Sequence, residues 1–262
     1  MSRIARVFEK PKRAAFIGFT VGGDPDRGTC VRIAKALIDG GTDILELGIP
    51  FSDPVADGPV IQKADDRALA AGTTPSLIFE IVREIRTFSE VPIVFLTYYN
   101  IVYRRGIKRF YKEARDAGAD GILIADMPVE ESDEVCNAAA QYGIDPIFLI
   151  TRTTSDERIR KIAVKARGYL YLVSVLGVTG VRDTVESGAI DLLNRVRKYT
   201  EIPLALGFGI STPDQAKTCA SAGADGVIVG SAIVAIVERN LGRPDRMERE
   251  LEEYVARMKD VL

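Results

Sequence analysis

Three carboxylates, Glu46, Asp53 and Asp57, fall within the stretch ELGIPFSDPVADGP at residues 46–59. Glu46 interrupts the apolar run Ile44-Leu45-Glu46-Leu47, which reads as a strand. A carboxyl group placed there loses water, which raises its pKa and suits it to moving protons, while a structural ion pair inside the fold would account for the same residue. Asp53 and Asp57 are flanked by turn formers, in Ser52-Asp53-Pro54 and Ala56-Asp57-Gly58-Pro59, and either is equally at home as a turn residue. What lifts them above turn chemistry is the long, stiff, proline-rich loop that follows a strand carrying an out-of-place Glu. The chain contains no histidine, so acid–base work must fall to Asp, Glu, Lys, Tyr or Cys.

A second signal comes from small residues. GFGIS at 207–211 and GSAIV at 230–234 each follow an apolar run, and the latter opens a helical pattern. Glycine lets backbone approach a ligand, and helix-start N–H groups attract anions, so a phosphate is expected near Gly209, Gly230 and Ser231. The segment SVLGVTGVRDTVESGAI, residues 174–190, reads as a long loop able to close over a substrate. Tyr169 and Tyr171 alternate with leucines and therefore face one way, either as core or toward a site. No nucleotide P-loop, no strand-linked G-x-G-x-x-G with a downstream acid and no H-E-x-x-H is present. A divalent ion at Asp53 and Asp57 would need further oxygen ligands that the sequence does not supply, and no metal is expected.

The elements that must hold these residues come from eight apolar runs: 14–20, 43–48, 92–98, 121–126, 145–151, 168–174, 203–209 and 226–231. Most are continuously apolar, as parallel strands covered on both faces should be. Between them, patterns such as Leu77-Ile78-Ile81-Val82-Ile85 have helical spacing. The fragments GGTDILELG, AGADGILIAD and AGADGVIVGS repeat one helix-end, turn and strand signature. Eight such units in 262 residues predict a single (β/α)8 barrel domain over residues 1–262, with the active site at the C-terminal ends of the strands. Pro244 and the stripe Met247, Leu251, Tyr254, Met258 and Leu262 predict an extra terminal helix packed outside.

Composition adds exclusions. With 47% apolar residues, 27% charged residues and a net charge of −2, neither a nucleic-acid binder nor a disordered chain is indicated. The start lacks an apolar stretch long enough for a signal or anchor, which makes the cytoplasm the expected compartment. Cys30, Cys136 and Cys219 have no metal or disulfide spacing and are expected to pack as small hydrophobes. On these grounds alone a lyase or isomerase acting on another phosphosugar also fits, because many barrels share the phosphate site.

The motifs together resemble the tryptophan synthase alpha subunit family along nearly the whole chain. The matching stretches are Gly23-Asp24-Pro25, the run from Glu46 through Asp57 to Gln62, Asp126-Met-Pro128, Gly177-Val-Thr-Gly180, Gly207-Phe-Gly-Ile-Ser211 and Gly230-Ser231. The resemblance implies retro-aldol cleavage of indole-3-glycerol phosphate to indole and glyceraldehyde 3-phosphate. Indole would pass to a β subunit carrying pyridoxal phosphate in an αββα assembly, with no cofactor in this chain. It further implies Glu46 and Asp57 as catalytic carboxylates, and Tyr171 and Thr179 as positioning groups. Phe19, Leu96, Leu123, Leu149 and Phe208 would form walls for the indole, and Gly180, Gly209, Gly230 and Ser231 would hold phosphate. Pro50, Phe51, Asp53, Tyr99, Asn100 and Pro128 would meet the partner, a role that also admits a purely binding subunit. The chain departs from the family pattern at Val21-Gly22, Thr151-Arg152 and Val175-Leu176.

Overall fold

Each apolar run folds as a short strand with a parallel neighbour on either side. The structure, a computed structural model, describes residues 1–9, 13–173, 182–207 and 209–262. In chain order the elements are α1 (Arg3–Phe8), β1 (Ala15–Val21), α2 (Arg27–Asp39), β2 (Ile44–Gly48), α3 (Pro59–Ala70), α4 (Pro75–Arg86) and β3 (Ile93–Thr97). There follow α5 (Tyr99–Arg105), α6 (Ile107–Ala117), β4 (Gly121–Ile124), a 3-10 turn (Val129–Glu131), α7 (Asp133–Tyr142), β5 (Asp145–Thr151) and α8 (Asp156–Lys165). The last part comprises β6 (Leu170–Val173), α9 (Arg182–Arg197), β7 (Leu204–Gly207), α10 (Pro213–Ser221), β8 (Gly226–Val229), α11 (Ser231–Arg239) and α12 (Pro244–Lys259). The strands close in sequence order, with β8 pairing back to β1, so the expected (β/α)8 barrel is what forms.

Alternation along the strands explains the continuous hydrophobicity. Ile17, Ile44, Val94, Leu123, Ile147, Tyr169, Tyr171, Ala205 and Ile228 fill the barrel, while Phe16, Leu45, Leu47, Phe95, Leu172 and Leu206 face the helices. Both faces are therefore dry. By this alternation Glu46, two residues from Ile44, takes an interior position, level with Phe19 on β1 and Val94 on β3.

The bottom of the barrel is closed by α1, which the sequence reading left without an element. Ile4 is fully buried, and Val7 and Phe8 pack beside it against the interior cluster. Gly121 makes room, since a Cβ there would lie 3.0 Å from Ile4 Cδ1. The Ser2 hydroxyl accepts the Ala5 N–H as helix cap and donates to Asp145 at 2.6 Å. At the other end of the chain α12 packs on α2 through Met247, Leu251, Val255 and Met258. Tyr254 and Leu262 from the expected stripe are only half-buried, because the helix turns Val255 rather than Tyr254 fully inward.

Cys30 and Cys219 are buried and Cys136 is half-buried. Among the described residues no helix is long and apolar enough to cross a membrane.

Candidate active site

Glu46 is completely buried at the C-terminal end of the barrel interior. Tyr169 donates its hydroxyl to Oε1 at 3.2 Å, and Oε2 has no hydrogen-bond partner among the described residues. Desolvation raises its pKa to about 8 and the charge of Asp57 adds to the rise, against the lowering effect of the Tyr169 bond. At neutral pH Glu46 is thus a protonated acid that ionises readily.

Asp57 comes from the loop between β2 and α3. Its backbone is pinned twice: its N–H donates to Pro54 O at 3.0 Å, and its own carbonyl accepts from Gln62 Nε2 at 2.7 Å. Tyr98, which directly follows β3, donates its hydroxyl to Asp57 Oδ2 at 2.6 Å and accepts the Ala56 N–H at 3.2 Å. The Phe51 ring stacks on Tyr98 with centroids 5.1 Å apart, so the loop is clamped from both sides. Burial raises the Asp57 pKa and the Tyr98 bond opposes it. Asp57 keeps the hydrogen bond from Tyr98, which favours its charged form, and its charge adds to the rise of Glu46, so of the two carboxyl groups Asp57 is the first to ionise.

Above them opens a cavity of about 430 Å³. Its lining includes Phe19, Asp57, Ile61, Leu96, Tyr171, Gly209, Ser211, Gly230 and Ser231. Burial raises the Tyr171 phenol well above its ordinary value, and the charges of Glu46 and Asp57 add to the rise. Gly230 is required for its lack of a side chain, because a Cβ there would come within 3.1 Å of the Phe19 ring. It precedes the first turn of α11, so the free N–H groups of that turn lie at the polar side of the cavity. One end is therefore apolar and acidic, the other built for an anion.

A profile described as Tryptophan synthase alpha chain matches residues 6–262. The chain is 71% identical over 259 residues to the tryptophan synthase alpha chain of Methanoregula boonei, covering 99% of this chain and 98% of that one. It is 45% identical over 255 residues to that of Methanothermobacter thermautotrophicus, covering 97% and 94%. The chain belongs to the tryptophan synthase alpha chain family.

Solved structures agree in fold. The tryptophan synthase alpha subunit of Legionella pneumophila superposes with a TM-score of 0.90 at 35% identity, covering 100% of this chain and 98% of that chain. An alpha subunit is also present in the Pyrococcus furiosus tryptophan synthase a2b2 complex, where the matched chain gives a TM-score of 0.88 at 39% identity and covers 94% and 98%. The reaction of this family of lyases is cleavage of indole-3-glycerol phosphate, with indole passed to the β subunit.

Within the tryptophan synthase alpha framework the structure gathers Asp57, Tyr171, Phe19, Leu96, Gly209, Gly230 and Ser231 around one cavity, while Glu46 is buried outside its lining, in register with Phe19. Leu123 and Leu149 are not on its lining. Both belong to the interior cluster, with Leu123 fully buried and Leu149 reaching a smaller cavity of about 130 Å³ beside Pro128. Thr179, Gly180 and Phe208 lie outside the described residues, as does 174–181 of the expected loop 174–190; the rest of that stretch, 182–190, is not loop but the first part of α9.

Of the residues expected at the partner surface, Phe51, Asp53 and Asn100 border a second, open cleft with Ile101, Arg104 and Arg105. Val55, 83% exposed, and Tyr103, 66% exposed, lie on the same loop and helix and leave apolar surface bare. Tyr99 is half-buried and donates its N–H to Asp126 at 2.7 Å, Pro128 is exposed, and Pro50 is buried.

One site residue, Tyr98, stands out in no motif of the sequence, and its hydroxyl holds Asp57. Of the two tyrosines that face one way, Tyr169 makes the hydrogen bond to Glu46, the place the resemblance gives to Tyr171. Tyr98 follows β3 directly at the C-terminal face, a position that marks it in hindsight.

Proposed function

We propose that Glu46 and Asp57 are the catalytic pair of the tryptophan synthase alpha reaction in this chain. The observation that carries this reading is the fully buried Glu46 with a free Oε2 and a pKa near 8, beside the cavity that holds ionised Asp57.

The bond to be broken joins indole C3 to the glycerol chain. Protonated Glu46 delivers its proton to C3, which leaves positive charge at the indole nitrogen. The Asp57 carboxylate, held by Tyr98, accepts the N–H and stabilises that charge. Glu46, now a carboxylate, takes the proton from the adjacent side-chain hydroxyl as the C–C bond breaks, and the electrons return to the indole ring. Indole and the aldehyde leave with Glu46 again protonated, so the proton count closes.

Phe19, Leu96 and Tyr171 give the rings an apolar wall, and the α11 N-terminus with Gly209, Gly230 and Ser231 takes the phosphate. These steps ask no cofactor of this chain; pyridoxal phosphate belongs to the β subunit, where indole is consumed. The chain works as one barrel domain in the cytoplasm, paired with β through the cleft at Phe51, Asp53 and Asn100 in an αββα assembly. Bare apolar side chains at Val55 and Tyr103 support that surface.

The test is release of indole from indole-3-glycerol phosphate by the purified chain, alone and with its cognate β subunit. Release that increases with β is expected. A folded chain silent in both conditions would overturn the reading.

A further inference from the structure

The apolar end of the cavity owes its shape to a side chain that is missing. Gly48 ends β2 on the interior face, two residues above Glu46, in register with Val21 on β1 and Leu96 on β3. A Cβ there would lie 3.0 Å from both Cε2 and Cζ of Phe19, tighter than carbon packing allows without a shift. Its next neighbour, the Thr20 carbonyl oxygen, would be 3.7 Å away, in ordinary contact. The Gly48 backbone makes no demand of its own, because its φ is not positive. Among the described residues the Phe19 ring is therefore what a side chain at 48 would meet. Gly230 borders the other end of that ring, where a Cβ would come within 3.1 Å of Cδ1. The ring lies across β1 from β8 toward β2, its base against one glycine and its tip in the gap left by the other, and it lines the cavity.

We infer that Gly48 is a specificity-determining residue for the aromatic ring of the substrate: it sets the width of the apolar end of the cavity by letting the Phe19 ring lie back against the barrel wall. The inference rests on the reading of this cavity as the chamber for indole-3-glycerol phosphate. A methyl group at 48 cannot share its space with the tip of Phe19, and a close-packed interior does not yield. Phe19 shares a buried cluster with Val21, Ala64, Ala68 and Val234, so the open side left to its ring is the cavity. An indole lying there would lose clearance, and an indole carrying one more methyl group would lose more. Leucine at 19 would lack the two ring atoms that meet position 48.

The experiment measures kcat/KM for cleavage of indole-3-glycerol phosphate and of its 5-methyl and 6-methyl ring analogues, with cognate β present. The proteins compared are wild type, Gly48→Ala, Phe19→Leu and the double variant. The quantity read is the ratio of methylated to parent substrate, which a partial loss of folded enzyme leaves unchanged because both rates fall by the same factor. Gly48→Ala should lower that ratio about tenfold for at least one analogue, the effect of one methyl group in a tightened apolar pocket. Phe19→Leu should raise it. In the double variant the ratio should match that of Phe19→Leu alone within about twofold, since the clash that couples the two positions is gone. A wild-type ratio in Gly48→Ala for both analogues, a Phe19→Leu enzyme whose ratio does not move, or an undiminished drop in the double variant would each overturn the inference. A wild type that releases no indole from the parent substrate would instead remove the reading of the cavity, an outcome seen before any variant is compared.

Discussion

The two ends of the barrel each bury carboxyl groups, and they treat them in opposite ways. At the bottom Asp120, 7% exposed, receives Arg3 at 3.1 Å, Arg86 at 2.8 Å and the Ile93 N–H at 2.9 Å. Both oxygens face donors. At the top Asp24 is likewise paired, by Arg67 through both oxygens, but Glu46 and Asp65, as deeply buried, each keep an oxygen that has no partner among the described residues. The bottom is satisfied and serves stability; at the top the unsatisfied oxygen of Glu46 leaves a proton free to move.

The sharpest way to break that comparison is Glu46→Gln, which should lower kcat/KM by about a thousandfold or more with folding intact, as read by indole release and circular dichroism. The same variant carries a stability signature. The Glu46 pKa rises from 4.5 in the unfolded chain to about 8 in the fold. Its contribution to stability is therefore fully present below pH 4.5 and is lost as pH rises through 8. Urea unfolding at pH 5 and pH 8.5 should show wild type losing stability relative to Glu46→Gln across that window; a constant difference between them would contradict a neutral buried Glu46.

Asp120→Ala should behave in the reverse sense. It takes the shared carboxylate from Arg3 and Arg86, which keep Glu90 and backbone carbonyls respectively, and leaves the Ile93 N–H without its acceptor, so it should cost about 2 kcal/mol in urea unfolding while kcat/KM of the folded protein stays within about twofold. Asp57→Asn should cost about a hundredfold in kcat/KM, less than Glu46→Gln, because a neutral acceptor still meets the indole N–H. The smallest effect is expected for Tyr169→Phe. Removing the hydrogen bond that lowers the Glu46 pKa should move the alkaline limb upward with only a few-fold change in rate, and an unmoved limb would show that the bond does not reach Glu46 in solution.

Much of this division could be read along the chain. Eight runs apolar on both faces announce strands covered inside and out, and Glu46 is conspicuous because it breaks one of them. Asp57 and the α11 N-terminus follow from where those strands must end. What periodicity cannot supply is pairing over distance: Tyr98 meets Asp57 across 41 residues and Tyr169 meets Glu46 across 123. Asp65 was hidden for another reason. In Lys63-Ala64-Asp65-Asp66-Arg67 it looks like one more solvated helix charge, and only the inward face of α3 shows that it has lost its water. The basic start of the chain likewise reads as polar, although Ile4, Val7 and Phe8 have the spacing of a buried helix face.

That first helix also imposes an order on assembly. It leaves the ribosome before any strand exists, yet Ser2 bonds to Asp145, 143 residues further on, and Arg3 bonds to Asp120, 117 residues further on. Its docking site does not exist until β4 and β5 stand side by side. Residues synthesised ahead of every strand are thus among the last able to find their place, and the seal under the barrel reports that the ring above it has been built.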